Sequence, residues 1–508
     1  MMTDAKIFEK YASDGEFEKI VTFNSVTEMW QNSLKNYANN VAIVDDGKSY
    51  TYLELDAQIS YLRGVLASNG IKAGDRVGLF LPNCSLFAST FMAITTLGAV
   101  AVLLPAHLDD KTVFGCSLKF GLKALCYGAP TAERTVFTAN QNKNVVMIDL
   151  MQKVEVSPVD AVSLDKKSPC AILFTGGTTG RSKGALLSNG AIMAGTRNGC
   201  YGLKNVFEQR YFLVLPLTHV FGLVRNLLTN FYTGSALFVC RNNKEMFREI
   251  AMFKPTIMVL VPALAEMALT LSKQFGRNML GEDMKTIICG AATVPPYLTK
   301  EYANFGIHLC PGYGLTESAN LVSGNPIPLE KSDSVGYFYP NQEYKVVDGE
   351  LWIKGENVFD CYVGDDQENE IAFEDGWFKT GDLVKVEEDL LYIVGRKKEV
   401  IVLSSGENVS PAEIEKYFYD IDEIQDCLLY AENVNGKEIL TLEVLPRATV
   451  IKAKGITDVD AFLRAEIEKV NSKLPSFERI NKVIIRDTDF VRSPSMKIVR
   501  NQNGNDKK

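Results

Sequence analysis

The 508-residue sequence is notable first for what it lacks. It has no CxxC pair: the ten cysteines, Cys84, Cys116, Cys126, Cys170, Cys200, Cys240, Cys289, Cys310, Cys361 and Cys427, are scattered, and several lie inside apolar runs. That spacing disfavours a zinc or dithiol motif and predicts reduced, mostly buried thiols. It has no basic excess. With 54 Lys+Arg against 62 Asp+Glu, the net charge of -8 argues against a phosphate-coating surface, so no nucleic acid is expected as partner and any bound nucleotide should be small. The amino terminus, MMTDAKIFEKYASDGEFEK, carries charges throughout and has no apolar core of the secretory kind, which predicts an intracellular, cytoplasmic protein. Internal repeats and low-complexity tracts are also missing. One uncharged run, Cys84 to Pro105, reaches membrane-spanning length. Gly98 divides it into a helical half and a Val/Leu-rich half, so the expectation is a buried helix feeding a buried strand, and no transmembrane segment.

The length exceeds that of one ordinary core, and 46% hydrophobic against 23% charged residues is folded, soluble composition. Over the first several hundred residues, helical patterns alternate with short apolar runs at Val77 to Leu81, Tyr211 to Leu215, Thr256 to Leu260 and Thr286 to Cys289. This predicts an α/β domain with a mainly parallel sheet covered by helices. Leu55, Ile59, Leu62 and Leu66 line one helical face, with Gly70 as a stop. After about Gly395 the texture changes. Glu399 to Leu403, Ile439 to Leu445 and Lys482 to Arg486 read as strands, and Thr457 to Leu474 as a helix capped by Thr457 with Leu463, Ile467, Val470 and Leu474 as its stripe. The expected architecture is therefore a large N-terminal multi-sheet α/β domain over 1–394, a charged hinge at 395–399, a small mobile α+β domain over 400–500, and a disordered tail at 501–508.

The segment Ala171 to Gly190, AILFTGGTTGRSKGALLSNG, is an apolar strand followed by a glycine- and hydroxyl-rich turn with a lysine. Gly176, Gly177 and Gly180 let backbone N–H groups approach an anion, Thr175, Thr178 and Thr179 add hydroxyls, and Lys183 adds positive charge. The segment fails the Walker A spacing, because Gly184 follows Lys183. A surface turn that binds nothing is the alternative for this segment taken alone.

Thr175 to Gly184 resembles the signature of the adenylate-forming superfamily, which contains acyl-CoA synthetases, nonribosomal peptide synthetase adenylation domains and beetle luciferases. Four further segments match in the family's order: GYGLTES from Gly312, GWFKTGD from Gly376, GRKKEVIVLSSGENVSPAEIE from Gly395 and SPSMKIVR from Ser493. With weaker similarity at SYTYLEL and GDRVGLFLPN, the resemblance covers nearly the whole chain. It implies that Thr175 to Lys183 hold the pyrophosphate end of ATP, that Thr316 contacts the α-phosphate, and that Glu317 binds Mg2+. Gly290, Ala291, Ala292 and Tyr313 are implied as the adenine cradle, Asp382 as the acceptor of both ribose hydroxyls, and Arg396 as a contact to the sugar or its phosphate. Lys497 resembles the late lysine that bridges the acid and the α-phosphate, Lys398 the hinge residue, and Gly406, within the loop Ser404 to Val409, part of the thiol tunnel. His219 resembles the gate between acid pocket and tunnel; His107 and His308 are assigned to structure.

The same resemblance implies an AMP-forming acid:CoA ligase with ATP, Mg2+ and coenzyme A as its small molecules. After His219 the sequence reads VFGLVRNLL, with no carboxylate to pair with an amino acid's ammonium, which disfavours an α-amino acid. Val220, Phe221, Leu223 and Leu227 suggest an apolar acid pocket in which Gly222 and Gly314 leave room. Arg225 is the odd residue: it is expected to pair structurally elsewhere, with recognition of a polar distal group as the alternative. Two positions depart from the family pattern, Ser182 where a proline is common and Met496 where glycine usually precedes the late lysine. The second is similar to long-chain acyl-CoA synthetases and tilts the reading toward fatty over aryl acids. An acyl carrier protein is the rival acceptor, but no insertion between Asp348 and Asp382 favours it. A nucleotide-binding pseudoenzyme would need a damaged site, and Thr316, Glu317, Asp382 and Lys497 are all present.

Overall fold

A computed structural model describes residues 5–175, 183–340, 342–403, 407–434, 437–492, 498–500 and 503. Two sheets dominate the larger part. The first has seven strands in the order Cys361–Tyr362, Lys183–Ser188, Pro169–Thr175, Val100–Leu103, Arg76–Phe80, Ala124–Tyr127, Val146–Asp149. The last five of these pair in parallel, whereas Pro169–Thr175 and Lys183–Ser188 form an antiparallel hairpin closing at Thr175 opposite Lys183. The uncharged run supplies the helix Ser85–Thr96 and the strand Val100–Leu103, with Gly98 at φ 81° between them. The left-handed backbone there is open to glycine at little cost. No helix among the described residues is long and apolar enough to cross a membrane.

The second sheet has fourteen strands and changes character along its width. Ala236–Val239, Arg210–Leu213, Ile257–Leu260, Thr286–Cys289 and His308–Tyr313 run parallel. At His308–Tyr313 the pairing switches: Cys310 and Pro311 lie beside Ile288 and Cys289 in parallel, while Gly312 and Tyr313 pair with Gly324 and Ser323 antiparallel. Beyond that seam every pairing is antiparallel, through Gly336–Phe338, Leu390–Arg396, Trp377–Glu387, Glu350–Gly355 and Gln342–Val347. The parallel strands match the apolar runs expected from sequence. The antiparallel half does not follow from an expectation of a mainly parallel sheet, because strands such as Trp377–Glu387 are only partly covered and lack a continuous apolar run.

Local signals explain most helix boundaries. Thr51 and Glu54 form a reciprocal capping box on Tyr52–Ser68, whose buried face includes Leu55, Ile59, Leu62 and Leu66. The late helix spans Val459–Asn471, and its cap is Asp458, which accepts from Ala461 N, in place of the expected Thr457. Asp458 lies one residue nearer the helix, where its carboxylate reaches the orphan N–H. The strand expected at Glu399 to Leu403 reduces to Ile401–Val402, because Lys397–Glu399 forms a 3-10 turn.

Apolar packing in the larger part centres on a cluster running from Val26 to Leu391 and in the smaller part on one from Val409 to Ile480, with three lesser clusters beside them. The second fills the space between the helix Val459–Asn471 and a three-stranded sheet built from Ile424–Val434, Lys437–Pro446 and Lys482–Ile485. Polar contacts join the two parts: Lys416 Nζ donates to Ile393 O at 2.7 Å and Ser410 Oγ to Val394 O at 3.1 Å. With separate cores, the parts should lose structure separately. Leu463→Ala is expected to cost about 2–5 kcal/mol within the second core. Hydrogen exchange should then quicken in Ile424–Val434 and Lys437–Pro446 while Pro169–Thr175 keeps its protection; equal loss in both would contradict two cooperative units.

Candidate active site

A cleft of about 2890 Å³ opens between the two parts. Three segments build its wall. The seam strand ends at Tyr313 and runs through Gly314 and Leu315 into the 3-10 turn Thr316–Ser318. A Cβ on Gly314 would collide with the Asn320 carbonyl, so the chain folds back on itself only with glycine there. Ala319 and Asn320 follow at φ 48° and 100°, two left-handed residues in succession without glycine. Such backbone is costly and persists where surrounding packing over-determines it. Here the helix Asn189–Asn198 supplies that packing, approaching so closely at Gly195 that a side chain would strike Ala319 O.

The second segment is the antiparallel pair that sets Asp382 opposite Arg396. Asp382 is 2% exposed, and both its oxygens are engaged: Tyr313 OH donates to Oδ2 at 2.6 Å and Arg396 Nε to Oδ1 at 2.7 Å. Asp382 raises the Arg396 guanidinium further above its usual range, and burial raises the Tyr313 phenol. Glu350 ties this turn to the junction, accepting from Gly381 N at 3.0 Å and from Lys397 Nζ at 2.8 Å. Lys398 sits beside it in the turn Lys397–Glu399 and lines the cleft.

The third segment, Phe359 to Val363, stitches the sheets together. Phe359 N donates to Glu317 O at 2.8 Å, and Asp360 N and Val363 N donate to Leu186 O and Gly184 O, each at 2.9 Å. Tyr362 is thereby placed between two sequence-predicted groups: its hydroxyl donates to Glu317 Oε1 at 2.7 Å, while Lys183 Nζ stands 4.4 Å from its ring centre. Lys183 also pairs with Glu368 at 2.7 Å, and this partner holds the Glu368 carboxyl below its ordinary range. Sequence reasoning missed both Tyr362 and Glu368. Tyr362 belongs to a two-residue strand recognised only through its pairing with Ala185, and Glu368 sits in an acidic surface helix, Asp366–Ala372, with no local mark of its role.

Glu317 faces the cleft without a lysine or arginine paired to it among the described residues. Desolvation raises its carboxyl above the ordinary 4.5, offset in part by Tyr362, Arg396 and Lys183. An anion held at this cost suits a divalent cation taken up with phosphate oxygens, which needs only one or two protein carboxylates. Thr316 is buried beside it, and Thr175 closes the strand facing Lys183.

Gly290, Ala291 and Ala292 line the cleft after the strand Thr286–Cys289; Gly290 lies against Gly312 O, where a Cβ would come to 2.8 Å. His219 caps the helix that opens with Val220–Gly222, its Nδ1 accepting from Phe221 N at 3.2 Å. His219, Val220, Phe221 and Gly314 line the cleft. Gly222 does not: a Cβ there would meet the Pro216 carbonyl, so its smallness serves the packing of the helix on the preceding turn. Leu223 and Leu227 are fully buried behind the wall. His107, assigned to structure from sequence, lines the cleft as well, whereas His308 opens its strand at an exposed position. The thiols at Cys84 and Cys361 are half-buried and the other eight buried; burial pushes Cys126 to about 12. Gly176, Gly177, Thr178, Thr179, Gly180, Ser182, Gly406, Met496 and Lys497 lie outside the described residues.

A two-part protein with Thr175 set opposite Lys183, an acidic residue beside a strained turn and a carboxylate–arginine pair in one cleft has the makings of a nucleotide-dependent ligase. Residues 30–363 match the AMP-binding enzyme family and residues 398–506 the AMP-binding enzyme C-terminal domain. The chain belongs to this family of AMP-binding enzymes, among the AMP-forming acyl- and aryl-CoA ligases. It is 28% identical over 449 residues to a medium-chain fatty-acid–CoA ligase of Escherichia coli K12, covering 80% of this chain and 78% of that one. It is 27% identical over 403 residues to a feruloyl-CoA synthase of Amycolatopsis, covering 76% and 81%. Its fold is similar to that of the o-succinylbenzoate CoA synthetase of Bacillus subtilis in complex with an acyl-adenylate, with TM-score 0.80 at 21% identity over 94% of this chain and 98% of that one.

The raised Glu317 carboxyl has a signed consequence for stability. The folded state holds this proton more tightly than the unfolded state, so the carboxylate destabilises the ligand-free protein above the folded pKa. The penalty shrinks as pH falls through the folded pKa and vanishes below the ordinary 4.5. Glu317→Gln, whose amide oxygen can still accept from Tyr362, should raise the ligand-free unfolding midpoint at pH 7.5 and lose that advantage near pH 4. Thermal unfolding across the range checks this, and an equal gap at both ends would contradict it.

Proposed function

We propose that this protein activates an apolar carboxylic acid with ATP and transfers the acyl group to coenzyme A. The acid carboxylate attacks the α-phosphorus, the bond to the pyrophosphate oxygen breaks, and acyl-AMP and pyrophosphate result. The thiol then attacks the acyl carbon, AMP leaves, and acyl-CoA forms. The supporting observation is that Tyr313, Asp382 and Arg396 converge with Lys183, Thr316 and Glu317 on one cleft. The first set suits a nucleoside and the second a polyanion.

In this reading Asp382 exchanges the Tyr313 hydroxyl for the ribose hydroxyls, and Arg396 holds the carboxylate in place and contacts the sugar or its phosphate. Gly290, Ala291 and Ala292 admit the adenine ring, with Tyr313 alongside. Lys183 and the loop before it take the pyrophosphate end, which requires Lys183 to leave Glu368. Thr316 donates to the α-phosphate. Glu317 would hold Mg2+, which would supply charge neutralisation for the phosphates. Lys497, by its resemblance to the family's late lysine, bridges the acid oxygen and the α-phosphate during adenylation and withdraws as the small domain turns about 395–399, with Lys398 as the hinge residue. The loop containing Gly406 then faces the cleft for the thiol. His219 gates the passage between acid and thiol, a motion that breaks its contact with Phe221 N.

Val220 and Phe221 present an apolar wall to the acid, and a fatty acid is favoured over an aryl one. A cytoplasmic location accompanies this reading. Acid-dependent pyrophosphate release is the test, run across fatty, aryl and amino acids, then with coenzyme A and with an acyl carrier protein as acceptor. Release that depends on a fatty acid and thioester formation on coenzyme A are expected; no acid-dependent release would overturn the proposal, and transfer only to carrier protein would replace its second half. Lys497→Ala should lower adenylation by roughly 10²-fold or more, as loss of a charged group at the reacting phosphate does. Thioester formation from supplied acyl-AMP should persist.

A further inference from the structure

Lys183 ends the segment read from sequence as a phosphate cradle, and in the structure a carboxylate already holds it. Its Nζ pairs with Glu368 Oε2 at 2.7 Å and lies 4.4 Å from the centre of the Tyr362 ring. Lys183, Tyr362, Glu368 and Glu317 all line the cleft, so a ligand entering it meets this pair directly. The lysine holds the Glu368 carboxyl below its ordinary range, and the group is an anion at neutral pH. A polyanion site is thus built with an anion of its own at the position of the incoming phosphates.

The placing of Glu368 is specific. Its helix, Asp366–Ala372, carries three acidic residues. Asp366 and Glu370 are exposed, and of the three only Glu368 turns to the cleft. The next residue, Asn369, clamps the helix to the tyrosine: Tyr362 N donates to Asn369 Oδ1 at 2.7 Å, and Asn369 Nδ2 donates to Tyr362 O at 2.9 Å. Tyr362 in turn donates its hydroxyl to Glu317. One short stretch, residues 361–369, therefore fixes both the counter-ion of Lys183 and the hydrogen-bond partner of Glu317.

Phosphate oxygens that take Lys183 must first displace Glu368, and they leave its carboxylate unpaired beside them. The first effect lowers apparent affinity because the lysine is free in only a fraction of the molecules. The second lowers it through repulsion between like charges. An acid that works against binding acquires a use once adenylation is complete. Pyrophosphate is then a product to be discarded, and Glu368, still beside Lys183, competes for the lysine.

We propose that Glu368 is a positioning residue that limits how tightly the pyrophosphate end is held: it keeps Lys183 in place before ATP arrives, and it takes the lysine back so that pyrophosphate departs. This rests on the ligase reading above. No covalent bond is made or broken in the exchange; Lys183 passes from one oxygen anion to another and keeps its protons.

The test is calorimetric titration of the full chain with pyrophosphate, ATP and AMP, each in the presence of Mg2+. Glu368→Gln should tighten pyrophosphate and ATP by about fivefold in Kd, the scale on which one partly exposed ion pair acts. AMP, which has no pyrophosphate end, should bind as before. Glu368→Ala should act in the same direction, and a gain in affinity is not an effect that misfolding produces. Glu370→Gln removes the same charge from the same helix away from the cleft and should change none of the three. Labelled pyrophosphate chased with unlabelled should leave Glu368→Gln more slowly than it leaves the unaltered protein. Pyrophosphate binding that is unchanged or weaker in both Glu368 variants overturns the inference, as does an unchanged rate of departure. Equal tightening of AMP, or an equal effect from Glu370→Gln, also overturns it, since either traces the change to overall charge. Failure of the unaltered protein to bind ATP or AMP overturns the ligase reading, whereas nucleotide binding that Glu368→Gln leaves unchanged overturns this inference alone.

Discussion

The strand His308–Tyr313 belongs to two kinds of sheet at once, and the placing of the site depends on that constraint. Its first residues pair in parallel with Thr286–Cys289, and its last two pair antiparallel with Ser323–Gly324. A parallel strand must be followed by a crossover, whereas an antiparallel one can turn back at once. The switch therefore forces a tight reversal immediately after Tyr313, and the residues of that reversal are Gly314, Thr316 and Glu317. Gly314 is compelled by the close return of Asn320, and the strained Ala319 and Asn320 are held by the helix beneath them. Remove the seam and the phenol, hydroxyl and carboxylate no longer share a cleft.

In the ligand-free molecule, most of the charged groups gathered there are satisfied from within. Asp382 holds Tyr313 and Arg396, and Lys183 holds Glu368. These contacts keep the side chains near where a nucleotide would use them, and an incoming ribose or phosphate competes with a protein group instead of with bulk water. The exchange lowers net affinity but reduces the ordering cost at binding. Glu317 stands apart, a carboxyl raised by desolvation and without a lysine or arginine paired to it among the described residues.

Much of the fold and site was legible in the chain itself. The apolar strands at Val77, Tyr211, Thr256 and Thr286, the glycine stop at Gly70 and the break at Gly98 are local effects of propensity and backbone conformation, and they appear within a residue or two of where the sequence puts them. Thr316, Glu317, Asp382 and Arg396 were singled out because short segments resemble a known family's, and the structure brings all four to one cleft. Tyr362 and Glu368 were not found, since their part in the site comes from pairing with Lys183–Ser188 far away in sequence. Gly222 was read as leaving room for the acid, but the room is taken by the Pro216 carbonyl.

The sequence by itself determined the class of enzyme and the order of the two parts, because those depend on short motifs and on local backbone preference. The antiparallel half of the large sheet, the pairing of Asp382 with Tyr313 and Arg396, and the place of Tyr362 between Lys183 and Glu317 were decided only in three dimensions. A hydrogen bond or ion pair needs two groups within a few ångströms, and for residues tens to hundreds of positions apart that proximity is a property of the assembled sheets, not of either segment.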